Sequence, residues 1–237
     1  MNNYRKAGPW TRRIAKLTIV AAVLVLIAGP LIKFGLPWKA GLGTFAISAI
    51  IAGIGGIICL IALLRRRGGT LPVLAAAAGL AAFAIPAAII AEGRTKPPIH
   101  DLTTDTANAP QFIAITPELR GKDSNTIVYD PALAAKQAKA YPTLRPLVVA
   151  DAPDAAFTEA LAAARARGWA IVATRAPTRI EATDTVPWWG FKDDIVVRLT
   201  PEGAGTRIDV RSTSRVGVGD LGVNAKRISD YLAKIRG

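Results

Sequence analysis

The chain has a single cysteine, Cys59, and a single histidine, His100. A lone cysteine excludes an intrachain disulfide, and one of each residue leaves no ligand set for a zinc site built on Cys and His. No cysteine occurs after residue 96, which fits an oxidising compartment that the fold does not exploit. Acids are almost absent from the first 96 residues, where Glu92 stands against twelve Lys and Arg. That segment carries +11, whereas residues 97–237, with eighteen Lys and Arg and sixteen Asp and Glu, carry +2. The overall charge of +13 would suggest a nucleic-acid partner, but the excess flanks apolar runs, where it sets membrane orientation. No nucleic-acid partner is expected.

Three apolar runs occupy the basic segment: residues 17–36, 40–64 and 71–91. Each approaches the ~20 residues that a helix needs to cross the hydrocarbon core. Pro37–Lys39 and Arg65–Gly69 are the tight turns between them, so residues 1–96 read as a three-helix transmembrane hairpin. A cleaved signal peptide is the competing reading of the first run. Two further runs follow it, however, and no A-x-A site stands at the expected place.

The tail (Arg5, Lys6, Arg12, Arg13, Lys16) and the Arg65–Arg67 turn outweigh Lys33, Lys39, Arg94 and Lys96 on the other side. The positive-inside rule then places the N-terminus in the cytoplasm and residues 97–237 outside. In a two-membrane bacterium this is a multi-pass inner-membrane protein with a periplasmic C-terminal domain. The runs hold no ionisable group at mid-depth, which disfavours transport. Ser48, Ala52 and Gly56, with Ala75 and Gly79, allow close helix approach, within the hairpin or across a homodimer.

Residues 97–237 have room for one domain with its own core. Arg94–Pro98 is a stiff exit, and residues 97–150 read as an extended, proline-punctuated arm with one short helix near 131–140, capped by Asp130. A helix capped by Asp154 is predicted through Arg167, with Phe157, Leu161 and Ala164 on one face and Gly168 as its stop. Strands are predicted at about 169–175, 178–184, 192–200 and 207–215. A final helix is predicted from Leu221 to Ile235, capped by Asp220, with Leu221, Ala225, Ile228, Leu232 and Ile235 as its apolar stripe. The fold class is α+β: an antiparallel sheet of about four strands covered by two helices.

Alternation registers the last two strands, with Leu199 opposite Ile208, Val197 opposite Val210 and Ile195 opposite Ser212. The other face then carries Asp194, Arg198, Arg207, Asp209, Arg211 and Arg215 in alternating sign. If residues 99–115 cover that face, the charges fix where the arm docks.

The segments PPIHDLTTDTANAPQF (97–112), RIEAT (179–183), FKDDIVVR (191–198) and GTRIDVRSTSRVGVGDLGVNAKRI (205–228) resemble, in order, the bacterial family of domain of unknown function 1499. The resemblance implies an extracytoplasmic domain, often carried by a membrane anchor, and supplies little biochemistry. It marks His100, Asp101, Thr104, Asp105, Asp193, Asp194, Arg198, Arg211, Ser212, Ser214, Arg215, Asp220 and Asn224 as family positions.

Four chemistries compete at these residues. His100 with Asp101 or Asp105 and Ser212 or Ser214 has the residue types for a hydrolase, although no G-x-S-x-G elbow is present; the alternative is that His100 and Asp101 anchor the arm. Asp101, Asp105, Asp193 and Asp194 suit a hard cation, but arginines are as abundant in the same blocks and no EF-hand loop occurs. Internal pairing is therefore favoured, with Asp193, Asp194, Arg198, Arg207 and Asp209 as a structural ion network and no metal or cofactor. Arg207, Arg211 and Arg215 could grip a phosphate or lipid headgroup, with Asp209 diluting their field.

Trp188 and Trp189, adjacent in a loop, cannot share one buried strand face, so one of them could mark a lipid or partner surface; the alternative is a hydrophobic plug over the sheet. The expected role is a binding module for a lipid or envelope protein partner, with binding residues Trp188, Trp189, His100, Asp101, Asp105, Arg211 and Arg215. A periplasmic hydrolase or a structural subunit of a membrane complex are the alternatives.

Overall fold

A computed structural model describes residues 5–236. It divides into two units, one running to Glu92 and taking in Trp188–Gly190, the other comprising Gly93–Pro187 and the chain from Phe191 onward.

The first unit is helical. β1 (Arg5–Lys6) leads into α1 (Pro9–Lys33), followed by α2 (Trp38–Leu64), β2 (Arg67–Gly68) and α3 (Thr70–Gly93). All three helices are long and apolar enough to cross a membrane. α1 begins earlier than its apolar run because Pro9 occupies its first turn, where a missing N–H costs nothing. β1 pairs in parallel with β2, Arg5 opposite Arg67, which gathers the basic tail and the arginine turn at one end of the unit.

Small residues let the backbones touch: a Cβ added at Gly56 would stand 2.9 Å from the Leu80 nitrogen and 3.2 Å from the Gly79 carbonyl carbon. Ala15, Cys59, Ala75 and Ala76 form a buried cluster. The small-residue faces of α2 and α3 are thus used within this unit.

The second unit contains β3 (Asp101–Thr103), α4 (Pro117–Arg120), α5 (Leu133–Ala140), β4 (Leu147–Val149), α6 (Pro153–Ala166), β5 (Ala170–Arg175), β6 (Arg179–Thr185), β7 (Lys192–Glu202), β8 (Gly205–Ser214) and α7 (Val223–Arg236). The predicted four-strand meander is β5 to β8, and the β7–β8 register matches the one read from alternation at Leu199–Ile208, Val197–Val210 and Ile195–Ser212. β3 and β4 extend it to six strands, both pairing antiparallel with β8; the path runs β3-β8-β7-β6-β5, and β4 lies off it on β8. The β7–β8 hairpin is tighter than predicted: Gly203 takes a φ of +60°, so the ladder continues to Glu202 opposite Gly205.

The fold is α+β. One sheet face presents Ile180, Ala182, Ile195, Val197, Leu199, Ile208 and Val210, packed in one buried cluster with Phe157 and Ala164 of α6 and Ile228 and Tyr231 of α7. Burying one such side chain contributes roughly 1.5–3 kcal/mol. Tyr231 donates to the Ala160 carbonyl at 2.9 Å, tying the two helices together.

Two predicted caps change, and the helix that Asp220 caps starts later than predicted. The N-cap of α6 is Ala152 without a side-chain bond, and Asp154 lies in the first turn, where its charge meets the helix dipole. α5 starts at Leu133, because Asp130 instead closes a turn by accepting from the Ala132 N–H at 2.9 Å. α7 starts at Val223 rather than Leu221. Asp220 accepts from the N–H groups of Gly222 (2.9 Å) and Asn224 (2.5 Å), and the tight turn this closes holds Leu221 at a φ of +56°, outside the helix and off its stripe.

Candidate functional site

Strand alternation sends one set of polar side chains to each sheet face. On the face away from α6 and α7, Arg211 is fully buried and grips Asp101 with two bonds, Nε to Oδ1 at 2.9 Å and Nη2 to Oδ2 at 2.7 Å. It also donates to the carbonyls of Pro110 (3.2 Å) and Ile127 (2.7 Å). The rings of Phe112 and Tyr129 lie 5.2 and 5.4 Å from its guanidinium carbon.

Asp194, also fully buried, accepts from Arg120 Nε (2.9 Å), Arg215 Nε (2.9 Å), Arg215 Nη2 (2.8 Å) and Thr183 Oγ1 (2.8 Å). Arg198 joins Asp105 (3.1 Å) to Asp209 (2.9 Å), and Arg207 pairs with the same two acids. The bonds to Asp209 push the Arg207 guanidinium up, whereas burial pulls Arg120 down.

Most of the cover over this face is the arm. Glu181, on β6, accepts from the N–H groups of Ile113 (2.8 Å), Ala114 (3.0 Å) and Ile115 (2.9 Å). Thr104 extends β3's contact with β8: its N–H donates to the Val210 carbonyl, and its hydroxyl accepts from the Val210 N–H, both at 2.9 Å. The arm docks where the charge pattern placed it, and it reaches beyond residue 115, to Arg120, Asn125 and Tyr129.

The helix-covered face has its own network. Arg227 of α7 meets Asp193 (2.5 Å), Asp184 (2.8 Å) and Ser212 Oγ (3.2 Å). Asn224 accepts from Ser212 Oγ (2.6 Å) and donates to Ser214 Oγ (2.9 Å) and the His100 carbonyl (3.1 Å). Burial raises the Asp220 carboxyl nearby.

These contacts locate each sequence-derived candidate. Asp101, Asp105, Asp194, Arg198, Arg207, Asp209, Arg211 and Arg215 share the arm-covered face. Asp193 lies on the opposite face, with Ser212 and Ser214. His100 is half-buried, and its carbonyl, rather than its imidazole, meets Asn224 and the Ser214 N–H. Trp188 and Trp189 stand edge-on to each other at 4.4 Å and to Phe45 at 5.7 and 5.1 Å, within the first unit.

Among the described residues, no three or more His, Cys, Asp and Glu side chains are grouped to hold a metal ion. An open depression lined by Ala166, Arg167, Asp230, Ala233 and Lys234 lies at the ends of α6 and α7 and includes none of the candidates.

Sequence reasoning missed Glu181, Arg120, Gln137 and the pairing of Arg227. Gln137 of α5 bonds both backbone groups of Thr103, accepting at 3.1 Å and donating at 2.6 Å, so its amide acts as one more ladder rung beside β3. Glu181 was signalled as an acid flanked by the apolar Ile180 and Ala182 of β6, and Arg227 by its helical spacing from Asn224 and Tyr231 on the buried side.

Three helices fit to span a membrane, followed by an α+β domain whose charges are paired inside it, define a membrane-anchored protein. The chain belongs to the family described as "Protein of unknown function (DUF1499)", whose pattern matches residues 101–235, from β3 into the last turn of α7. No curated protein matches the chain. Among solved structures, the crystal structure of CalU16 from Micromonospora echinospora is similar at 14% identity and a TM-score of 0.30, over 38% of this chain and 72% of that one.

Proposed function

We propose that this protein is a non-catalytic binding module, anchored in the inner membrane with its α+β domain in the periplasm, that engages a lipid or an envelope partner through the Trp188–Trp189 tip. The carrying observation is how the domain uses its polar groups. Asp101, Asp105, Asp194 and Asp209 are held by arginines, and the Ser212 and Ser214 hydroxyls are held by Asn224. A hydrolase needs a nucleophile and base open to substrate. Here the carboxylates and hydroxyls build the interior, and recognition is left to the surface.

The indole pair supports lipid as the ligand. It forms an aromatic cluster with Phe45, near the start of a helix long enough to span a bilayer, and Trp is favoured at the membrane interface. The gathering of β1 and the arginine turn at one end of the helical unit supports a cytoplasmic N-terminus.

The test uses the full chain extracted in native-lipid particles, with mass spectrometry of the lipids and proteins retained. Trp188→Ala with Trp189→Ala should lose the species enriched by the unsubstituted chain while the thermal melt of the domain is unchanged. Retention of the same species by the double variant would overturn the reading, and a protein among the species lost would identify an envelope partner instead of a lipid.

A further inference from the structure

The turn between β8 and α7 presents apolar side chains outward. Val218 is 77% exposed, Leu221 53% and Val223 42%. Leu221 has the left-handed backbone that a bulky side chain disfavours. Such strain persists only where surrounding structure imposes it.

The imposing contacts are all present. Asp220 accepts from the N–H groups of Gly222 and Asn224, and Gly217 and Gly222 supply φ values of +91° and +86°. Asn125, reaching from the arm, donates to the Gly217 carbonyl at 2.8 Å. The turn is therefore braced, and it holds three apolar residues away from the core.

Its neighbours show what those residues meet. Gly93 is the last residue of α3, and a Cβ there would stand 3.1 Å from Leu221 Cγ. A Cβ at Gly219 would lie 2.9 Å from the Pro98 Cα, and one at Gly222 would lie 3.6 Å from Lys96 Cγ. The turn thus runs alongside residues 93–98, where the chain leaves the third span. At ~1.5 Å per residue, a helix of 24 residues covers the ~30 Å hydrocarbon core, so Gly93 falls at the headgroup level. Arg94 and Lys96, both exposed, add positive charge at that level.

We infer that Val218, Leu221 and Val223 insert into the lipid headgroup boundary, with Arg94 and Lys96 on anionic headgroups, so that this turn is a second, non-covalent attachment of the domain to the bilayer. Apolar side chains beside cations are the composition of an interfacial anchor. The turn needs only that α3 spans the membrane, and does not depend on ligand capture by the Trp188–Trp189 tip.

The test places a nitroxide on Val218→Cys and, separately, Leu221→Cys in the full chain, reconstituted in nanodiscs of mixed zwitterionic and anionic phospholipid. Cys59 is buried, so the unsubstituted chain is the labelling blank. Collision rates with oxygen and with a water-soluble nickel chelate then report depth. The result expected is an oxygen preference at both positions, between that of a label on Ile85→Cys within α3 and that of the free label in water. Water-like ratios at Val218 and Leu221 would overturn the inference. Val218→Cys decides the matter if Leu221→Cys does not fold, because Val218 is largely exposed. Water-like labels together with lipid loss in the tryptophan variant would leave the binding reading standing alone.

Discussion

Arg211 and Asp101 meet diagonally across neighbouring strands. Arg211 stands directly opposite Thr103 and Asp101 opposite Thr213, yet two parallel bonds join the guanidinium to the carboxylate. Neither side chain reaches water to any extent, so each charge depends on the other.

Removing one partner leaves a buried, uncompensated charge, which costs about 3–5 kcal/mol. Arg211→Met should lower the stability of the domain by that order in chemical denaturation of the detergent-solubilised chain. Adding Asp101→Leu should recover much of the loss, since an apolar replacement of both partners leaves no stranded charge. Additive losses in the double variant would show that the pair is not coupled.

Glu181 holds the arm by its backbone, so its charge should be read there. Glu181→Gln keeps the size of the side chain but replaces one acceptor oxygen with a donor. Amide exchange at Ile113, Ala114 and Ile115 should accelerate by about one to two orders of magnitude, given ~1.5–3 kcal/mol for a hydrogen bond to a charged group. Exchange in β7 and α7 should change little.

The Tyr129 hydroxyl is buried and has no hydrogen-bond partner among the described residues. Burial, with the Asp101 carboxylate next in weight, pushes its phenol up from 10.0 to about 12. The folded state then keeps its proton where the unfolded state has lost it, so stability falls as pH rises between those values. Tyr129→Phe should remove that share of the alkaline loss, at most about 2–3 kcal/mol. At neutral pH it should add about 1 kcal/mol by eliminating an unpaired polar atom. Denaturation at pH 7 and across the alkaline range measures both.

Gly56 lies against the backbone of α3. Gly56→Leu should force α2 and α3 apart and lower the aggregation temperature of the detergent-solubilised chain by several degrees. Gly43→Leu, where an added Cβ would meet nothing within 4 Å, is the control and should leave it unchanged.

The strands whose register was legible are the long ones, where apolar residues recur at every second position on one face. Ile195, Val197 and Leu199 of β7 and Ile208 and Val210 of β8 supply that pattern, so Leu199 and Ile208 could be paired from the sequence. β3 and β4 are three residues each and carry too little pattern to stand out from a proline-rich arm. Their strand geometry comes from β8, which supplies partners to both. The ion network was legible as alternating sign, but Arg120 and Glu181 work through contacts 74 and about 67 residues apart, which no local spacing records. Leu221 fell on the periodic stripe of α7, and only the Asp220 turn takes it out.

The pairing of Asp101 with Arg211 also sets an order of events during synthesis. The arm is made early, while the strand that receives it is made 110 residues later. Until β8 has emerged, the arm lacks Arg211, and β3 has nothing to pair with. The three helices, whose packing against one another lies within the first 93 residues, can assemble while the rest of the chain is still extended, and the Trp188–Trp189 contact with Phe45 joins later. A domain that closes only with its last strand stays threadable for most of its synthesis, the state in which a chain can be passed across a bilayer.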